Sequence, residues 1–387
     1  MKVVSLYDGI SCGRVALERA GYAVSYYAAY EIDKYVKSIS RYQYPDIVQC
    51  GDVMDADFRI HADGGIDLVI GGSPCVYWSI SRASIGREVD KSGNGWNLFM
   101  RFVDAVSEIK PLYFLLENVA SMPTAIKGFI SEELGCEPVQ INSALVSAQH
   151  RKRLYWTNIG GASGIAQPKD KGIMLKDILE ESAITLADKS QTIVATVHKE
   201  NTASLIMRRK KGLIVANRVG DAGEHDGGCF GAALRTREDG NGKFKRLEVR
   251  NDGKLNALTT VQTDSIICSP IRIGSIGNGG QGERIYSVRG KSVTIKSRGG
   301  GGGALTGLYK IDLPDGDYAI RKLTPTETER CQTLDAGYTA FGIDDNGRTV
   351  KISNTQRYRA VGNGFTVDVI AHILSHMAFG KEGRKAD

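Results

Sequence analysis

Residues 67–75 read DLVIGGSPC. Three apolar residues in a row, Leu68, Val69 and Ile70, are followed by two glycines, a serine and a proline before Cys75. A short continuous apolar run bounded by turn residues is the pattern of a strand buried on both faces. Working outward, the same pattern recurs at VVSLY (3–7), YAVSYYAAYE (22–31) and LYFLLENV (112–119). Between these runs lie stretches of helical spacing. GRVALERAG (13–21) places Val15, Leu17 and Ala20 ahead of a glycine stop, and WNLFMRFVDAVSEIK (96–110) is a second such piece. Strands alternating with helices predict an α/β fold, with a mostly parallel sheet covered by helices on both faces. Ligands of such sheets sit beyond the carboxyl ends of the strands. Asp8-Gly9, Glu31, Asp52, Pro74-Cys75 and Glu117-Asn118 all fall at those ends, which makes them a candidate site.

The chain has 387 residues, enough for two domains or for one large domain with an insertion. With 42% apolar and 24% charged residues the composition is that of an ordinary globular protein, not a disordered one. A net charge of +6 is compatible with a phosphate-bearing partner and equally with a soluble protein that is merely basic. No apolar run is long enough to span a bilayer, and MKVVSLYDGI enters a folded pattern without a signal-peptide core. Seven cysteines (12, 50, 75, 136, 229, 268 and 331) are scattered without a CxxC pair, against a disulfide framework and against a thiolate zinc site. That usage suits a reducing compartment, where a free cysteine can act as a nucleophile.

The character changes after about residue 170. Residues 185–310 are rich in Gly, Thr, Arg and Lys, and the short runs QTIVATV (191–197), KRLEVRN (245–251), ALTTVQT (257–263) and RIYSVRGKSVTIKS (284–297) are β-like. The glycine run 299–303 is not a phosphate loop, since no helix with a Lys-Ser/Thr follows it. A helical pattern returns near 325 (TPTETERCQTL), and TVDVIAHILSHMAF (366–379) reads as a closing helix. The expected division is a first domain over 1–184, a smaller β-rich domain over 185–325, and a hinge with a return to the first domain over 326–387.

Three groups could carry chemistry. Cys75 ends a strand behind a proline; a thiol needs positive charge nearby to become a useful thiolate at neutral pH, and read alone this cysteine is as well a small core residue. Glu117 closes a very apolar strand, where an unpaired charge is costly and a carboxyl group tends to hold a proton, although a helix-capping carboxylate fits the same position. Gln149-x-Arg151-x-Arg153 precedes LYW (154–156); on a strand, alternate spacing puts both guanidinium groups on one face, suited to a phosphate, a carboxylate or a thiolate, or to a solvated basic edge.

Taken in order, SLYDGISCG (5–13), YEID (30–33), GDV (51–53), GGSPC (71–75), ENV (117–119), QHRKR (149–153), RKLTPTE (321–327) and GNGFTV (362–367) resemble the motif series of cytosine-C5 DNA methyltransferases of bacterial and phage type, over almost the whole chain. The opening motif departs from the bacterial Phe-x-Gly-x-Gly form, with Ser5, Ser11 and Cys12 at variant positions, and looks more like that of the animal de novo enzymes. The resemblance implies a Rossmann-like S-adenosylmethionine-dependent methyltransferase fold with a smaller β-rich target-recognition domain. It implies S-adenosylmethionine as cofactor, S-adenosylhomocysteine as product and no metal.

By the same resemblance Tyr7 would stack on the adenine, the Asp8-Gly9 turn would approach the methionine part, Glu31 would accept from the ribose hydroxyls and Asp52 from the adenine amine. Ile32, Val53, Pro74 and Asn363 would complete the cofactor pocket. Cys75 would add to C6 of a flipped cytosine, Glu117 would bind N3 and the exocyclic amine, and Arg153 with Arg151 would orient thiolate and substrate. The segment 76–97 reads as a mobile loop carrying Ser81 into the DNA, with Gln281 entering from the recognition domain and Arg284 and Arg298 as base or phosphate contacts. RKLTPTE would be mostly structural. The implied partner is double-stranded DNA, bound by a monomer in the cytoplasm of a bacterium or a phage-infected cell, with a cognate restriction endonuclease as a further candidate partner. The rivals are a tRNA cytosine-C5 methyltransferase, which shares the core, and a non-catalytic regulatory relative, which would be expected to lack Cys75 or Glu117. A Rossmann-type oxidoreductase is more distant, because Gly-x-Gly-x-x-Gly is absent.

Overall fold

Leu68–Gly71 forms β4, the centre of a seven-stranded sheet. The other strands are β1 (Lys2–Leu6), β2 (Tyr26–Tyr30), β3 (Val48–Gly51), β5 (Tyr113–Val119), β6 (Val139–Asn142) and β7 (Lys152–Thr157). Their order is β3-β2-β1-β4-β5-β7-β6, parallel throughout except for β7, which runs antiparallel to both of its neighbours. The direction of winding reverses between β1 and β4, so the crevice at a topological switch point opens beside the carboxyl ends of these two strands. The structure, a computed structural model, describes residues 1–79, 86–180, 189–190, 192–193 and 323–378, together with the backbone of strands between 183 and 322.

Each central strand feeds two cores, because successive side chains point to opposite faces. Val3, Leu68, Ile70 and Leu115 pack on one face with Val15 and Leu17 of α1 (Cys12–Arg19) and Ile39 of α2 (Lys34–Gln43). Val4, Leu6, Val69 and Leu116 pack on the other with Phe99 and Phe102 of α3 (Asn94–Ile109) and Ile126 and Ile130 of α4 (Thr124–Leu134). Each fully buried phenylalanine or leucine here contributes roughly 1.5–3 kcal/mol. The α1 helix lies close to the sheet: a Cβ on Gly13 would meet the Tyr27 hydroxyl at 3.0 Å and Ile70 Cδ1 at 3.3 Å.

The C-terminal part returns to this sheet. The predicted helix at 325 is α5 (Pro325–Cys331), begun by a capping box in which Thr324 and Glu327 satisfy each other's backbone N–H groups. It is followed by α6 (Asn354–Asn363) and α7 (Val367–Leu374). The closing helix packs Val367, Ile370, Ile373 and Leu374 into the core that holds α1.

By its contacts the chain forms two units, Met1–Glu180 with Ala187–Glu200 and Leu323–Asp387, and Glu181–Leu186 with Asn201–Lys322. The described residues of the second unit form strands. Leu308–Lys310, Arg284–Ser287, Arg272–Ile276, Tyr318–Lys322, Ile214–Arg218 and Ala183–Ile184 form one sheet in that order, and Gly242–Val249, Phe230–Asp239 and Ile266–Cys268 form another. The β-like runs at 245 and 284 fall in these strands as far as Val249 and Ser287, whereas their remaining residues, 257–263 and most of 191–197 lie outside the described residues. Among the described residues no helix is long and apolar enough to cross a membrane.

Candidate active site

The crevice is lined first by the turn after β1. Tyr7, Gly9 and Ser11 all have positive φ, at 57°, 63° and 60°. For the two residues with a Cβ this costs about 1–2 kcal/mol each, so the turn holds only because its surroundings fix it. Asp8 fixes it from below. Its buried carboxylate accepts from the Tyr27 hydroxyl at 2.6 Å and the Ser11 hydroxyl at 2.7 Å. Burial pushes this carboxyl up to about 6, against the lowering effect of those hydrogen bonds. Above the turn, the Gly9 N–H donates to Glu31 Oε2 at 3.0 Å, and Glu31 Oε1 accepts from the N–H groups of Ile32 and Asp33 at 2.8 Å each. Nothing lies within 4 Å of where a Gly9 Cβ would be, so φ alone demands glycine there. Tyr7 is anchored through its hydroxyl, which donates to the Leu98 carbonyl of α3 at 2.6 Å. At the end of β3, Asp52 caps the next turn through the Met54 N–H at 2.9 Å, with Val53 buried beneath it. Ile32 is 67% exposed, an apolar side chain with open space over it at the mouth of the crevice.

The turn after β4 carries Cys75. Pro74 precedes a single helical turn, Cys75–Tyr77. Asn118 of β5, fully buried, donates to the Ser73 carbonyl at 3.2 Å and its hydroxyl at 3.1 Å, and accepts from the Val119 N–H at 2.8 Å. This side chain ties the Ser73-Pro74-Cys75 turn to the neighbouring strand. Behind it a Cβ on Gly72 would meet Phe365 Cε1 at 2.8 Å and Glu117 Oε2 at 3.3 Å, so the glycine admits both side chains to the site.

Glu117 is not the unpaired carboxylate its apolar strand suggests. Arg153 Nε lies 2.8 Å from Glu117 Oε1, with both side chains almost entirely buried, because β7 pairs beside β5. Arg151 and Arg153 are both buried, with Lys152 exposed between them, as alternation along a strand requires. Their tasks differ. Arg151 donates to the carbonyls of Ile193, Gly362 and Gly364 at 3.2, 3.3 and 3.0 Å, while its buried Nε has no partner among the described residues. Desolvation, then Arg153, pull its guanidinium down to about 10. Burial pushes the Cys75 thiol up; Arg153 opposes this most strongly, Glu117 adds to it and Arg151 opposes it again. The positive charge that the nucleophile calls for is present, and desolvation outweighs it in the free protein.

Asn363, the last residue of α6, is exposed; its neighbours Gly364 and Phe365 do the packing. Of the segment 76–97, expected as one mobile loop, residues 80–85 lie outside the described residues and the rest is tied to its surroundings. The Trp78 side chain is fully buried, Arg87 Nη1 donates to the Ser121 carbonyl at 2.9 Å, the Glu88 N–H donates to the Tyr77 carbonyl at 3.2 Å, and α3 begins at Asn94. The Glu88 carboxylate caps that helix by accepting from the Gly95 N–H at 2.9 Å. Ser81, Gln281 and Arg298 lie outside the described residues, and Arg284 begins the strand Arg284–Ser287. Phe365, within a quoted motif, and Glu88, in the expected loop, carry no role in the sequence reading, and Asn118 enters it only by its place at a strand end. A polar residue inside an apolar strand was the available signal for Asn118.

A model of the C-5 cytosine-specific DNA methylases matches residues 1–378. The chain belongs to that family. This DNA methylase is 25% identical over 373 residues to the type II methyltransferase M.HhaI of Haemophilus parahaemolyticus, spanning 96% of this chain and 93% of the relative. It is also 25% identical, over an alignment of 453 residues spanning 99% of both chains, to the orphan methyltransferase M.SPRI of Bacillus phage SPR. Among solved structures, the Entamoeba histolytica methyltransferase EhMeth superposes with a TM-score of 0.54 at 11% identity, over 97% of each chain. A Spodoptera frugiperda DNMT2 variant does so at 0.51 and 14%, over 97% of this chain and 98% of that one. These two likenesses show the shared fold. The enzyme is an S-adenosylmethionine-dependent DNA cytosine-C5 methyltransferase.

Proposed function

We propose that this methylase modifies a cytosine flipped out of duplex DNA, within a specific sequence, through a transient covalent bond between Cys75 and C6 of the base. The observation that carries this reading is the buried Glu117–Arg153 pair at 2.8 Å, within electrostatic reach of a cysteine at the adjacent strand end. Cytosine C5 is too poor a nucleophile to take a methyl group unaided. Addition of the Cys75 sulfur to C6 makes the ring an enamine, with Glu117 facing N3 and the exocyclic amine so that charge does not build up on the ring. Since burial holds the thiol above its ordinary range, its proton leaves to solvent as the S–C6 bond forms, and Arg153 offsets the developing charge. C5 then accepts the methyl group, the C5 proton passes to a base or water, and the C6–S bond breaks to return Cys75.

The donor set at the crevice fits S-adenosylmethionine. Glu31 has a carboxylate for two ribose hydroxyls, Asp52 an oxygen for the adenine amine, Tyr7 and Ile32 apolar surface for the purine with Val53 buried beneath, and the Asp8-Gly9 turn, Pro74 and the Asn363 turn would complete the wall. When bound, this group supplies an electrophilic methyl on sulfonium. Arg151 positions the backbone at Gly362 and Gly364 from behind. Base flipping costs a few kcal/mol; Ser81 and Gln281 would fill the space left in the helix, and Arg284 and Arg298 would contact bases or phosphates. The enzyme would act as a monomer on double-stranded DNA, alone or beside a cognate restriction endonuclease.

The test uses DNA with 5-fluorocytosine at the target position, from which no C5 proton can be lost. A DNA–protein adduct at Cys75, seen by mass spectrometry and absent from Cys75→Ala, is the expected result. Methyl transfer to cytosine retained by Cys75→Ala would sink the mechanism.

A further inference from the structure

Beneath the donor crevice lies a chain of buried polar side chains to which, Asp8 apart, the methyl-transfer reading gives no part. Tyr27, from β2, is 1% exposed and gives its hydroxyl to Asp8 Oδ1 at 2.6 Å. Ser11 gives its hydroxyl to Asp8 Oδ2 at 2.7 Å and lies 2.7 Å from the Ser40 hydroxyl of α2, to which Gln49 Nε2 donates at 3.2 Å. The carboxylate is thus held by both oxygens, in a place with little room. Gly13 lacks the Cβ that would press on the Tyr27 hydroxyl at 3.0 Å, so the helix and the tyrosine fit together only in this form.

We propose that Tyr27 is a positioning residue for the methyl donor: its hydroxyl, bonded to the Asp8 carboxylate, holds the Tyr7–Ser11 turn in the left-handed geometry that presents Gly9 to Glu31. This rests on the reading that the crevice binds S-adenosylmethionine. The turn has three residues at positive φ, two of them with a Cβ, and such a conformation persists only where the surroundings over-determine it. The Asp8 side chain joins the turn to β2 through Tyr27, its own N–H donates to the Tyr30 carbonyl at 3.2 Å and its carbonyl accepts from the Ser11 N–H at 3.2 Å. Loss of the tyrosine hydroxyl leaves a buried carboxylate with one donor fewer, which disfavours its charged form and loosens the turn.

The arrangement has a signature in pH. The titratable groups that face Asp8 are Cys12 of α1, Tyr27 of β2, Glu31 at the end of β2 and Tyr338 from the C-terminal part. Burial places the Asp8 midpoint at about 6, above that of an ordinary aspartate, and the hydroxyls of Ser11, Tyr27 and Ser5 pull it down. Removing one of them moves the midpoint higher.

The experiment is calorimetric binding of S-adenosylhomocysteine to the full chain between pH 5 and 8, for wild type, Tyr27→Phe and Asp8→Asn. Wild type should bind with an affinity that changes near pH 6. Tyr27→Phe should bind about tenfold more weakly at neutral pH, the loss of one hydrogen bond to a charged group, and its pH midpoint should rise. Asp8→Asn should lose the pH dependence. A folded Tyr27→Phe protein with unchanged affinity and midpoint overturns the proposal and leaves the donor site standing. Should Tyr27→Phe fail to fold, Asp8→Asn decides: a flat profile supports the proposal and an unchanged midpoint overturns it. No binding by wild type at any pH overturns the donor reading, and the proposal with it.

Discussion

Replacing Asn118 with alanine should disable the Cys75 turn while sparing the donor crevice. The wild-type side chain makes two bonds to Ser73, at 3.2 and 3.1 Å, and one to the Val119 N–H at 2.8 Å, all fully buried. A neutral hydrogen bond contributes roughly 0.5–1.5 kcal/mol net, so the three together are worth about 2–4 kcal/mol. Alanine leaves the Ser73 and Val119 groups without this partner, which puts the loss near the upper end. For a unit of this size that is a fall in Tm of roughly 5–15 °C. The kinetic effect has a different origin. Ser73 lies two residues before Cys75, and a nucleophile displaced by about 1 Å can lose roughly 100-fold in rate. The expected outcome is a kcat for tritiated methyl transfer to DNA lower by about 100-fold. Affinity for S-adenosylhomocysteine should hold within about twofold, since Gly9, Glu31 and Asp52 are fixed by bonds of their own. Asn118→Asp keeps the shape and the acceptor but removes the donors to Ser73, so it should be no better than alanine. A variant with lowered Tm but a kcat within about threefold of wild type would refute the reasoning, leaving Asn118 as support for β5 alone.

Two glycines should respond in opposite ways to alanine. Gly72→Ala, whose Cβ would lie 2.8 Å from Phe365, should cost about 1–3 kcal/mol in a denaturant melt and most of the methyl transfer, whereas Gly9→Ala, with open space but a φ of +63°, should cost about 1–2 kcal/mol and mainly weaken donor binding. Alkylation of Cys75 by iodoacetamide should reach its half-maximal rate above the pH of an ordinary thiol, and Arg153→Met should move that point higher still, since the arginine is the strongest opposing influence. By linkage, the stability associated with this raised thiol is present below the unfolded value near 9 and is lost as pH rises through the folded one. Glu88→Ala should uncap α3 and free the segment before it, seen as faster proteolysis after Arg87 and a Tm lower by a few degrees, with no change in donor affinity.

How much of this was legible beforehand follows from where each element lies. The runs that became β1, β4 and β5 are buried on both faces, so composition alone marks them. The edge strand β6 was not legible, and β3 was marked only by Asp52 at its end, because half-exposed edges carry no apolar run; Val48 is 46% exposed and Gln140 is exposed in β6. Strand ends pointed to Asp8, Glu31, Asp52, Cys75 and Glu117, since topology brings those ends together whatever the loops do. Pairings across the sheet were not legible, and they change the chemistry: Glu117 with Arg153, Asn118 with Ser73, Phe365 over Gly72. Within 76–97, Gly95 gives a loop-like signal for a physical reason of another kind. Gly95 is small because Glu88 Oε2 and Tyr77 Cβ would stand 2.6 and 2.7 Å from any Cβ there, so it marks close packing and not freedom of the chain.

The late Gly-Asn-Gly-Phe segment explains why a chain that has already built its sheet must come back to it. Phe365 reaches the space above Gly72, between the nucleophile's turn and Glu117, and Gly364 passes so close to α1 that a Cβ would meet Cys12 Sγ at 3.1 Å. The carbonyls left over at this helix end are acceptors for cations. Arg151 takes those of Gly362 and Gly364, and Gln332 Nε2 takes Val361 and Gly364 at 3.1 and 3.3 Å. Thr366 closes the ring, donating to Gln332 Oε1 at 2.7 Å and accepting from the Ser143 hydroxyl at 2.9 Å. One short stretch therefore joins the start of α1, the end of β4, the approach to β7 and α5. Donor crevice and nucleophile stand on different strands, and this segment makes their relative position a property of the packed core instead of the loops between them.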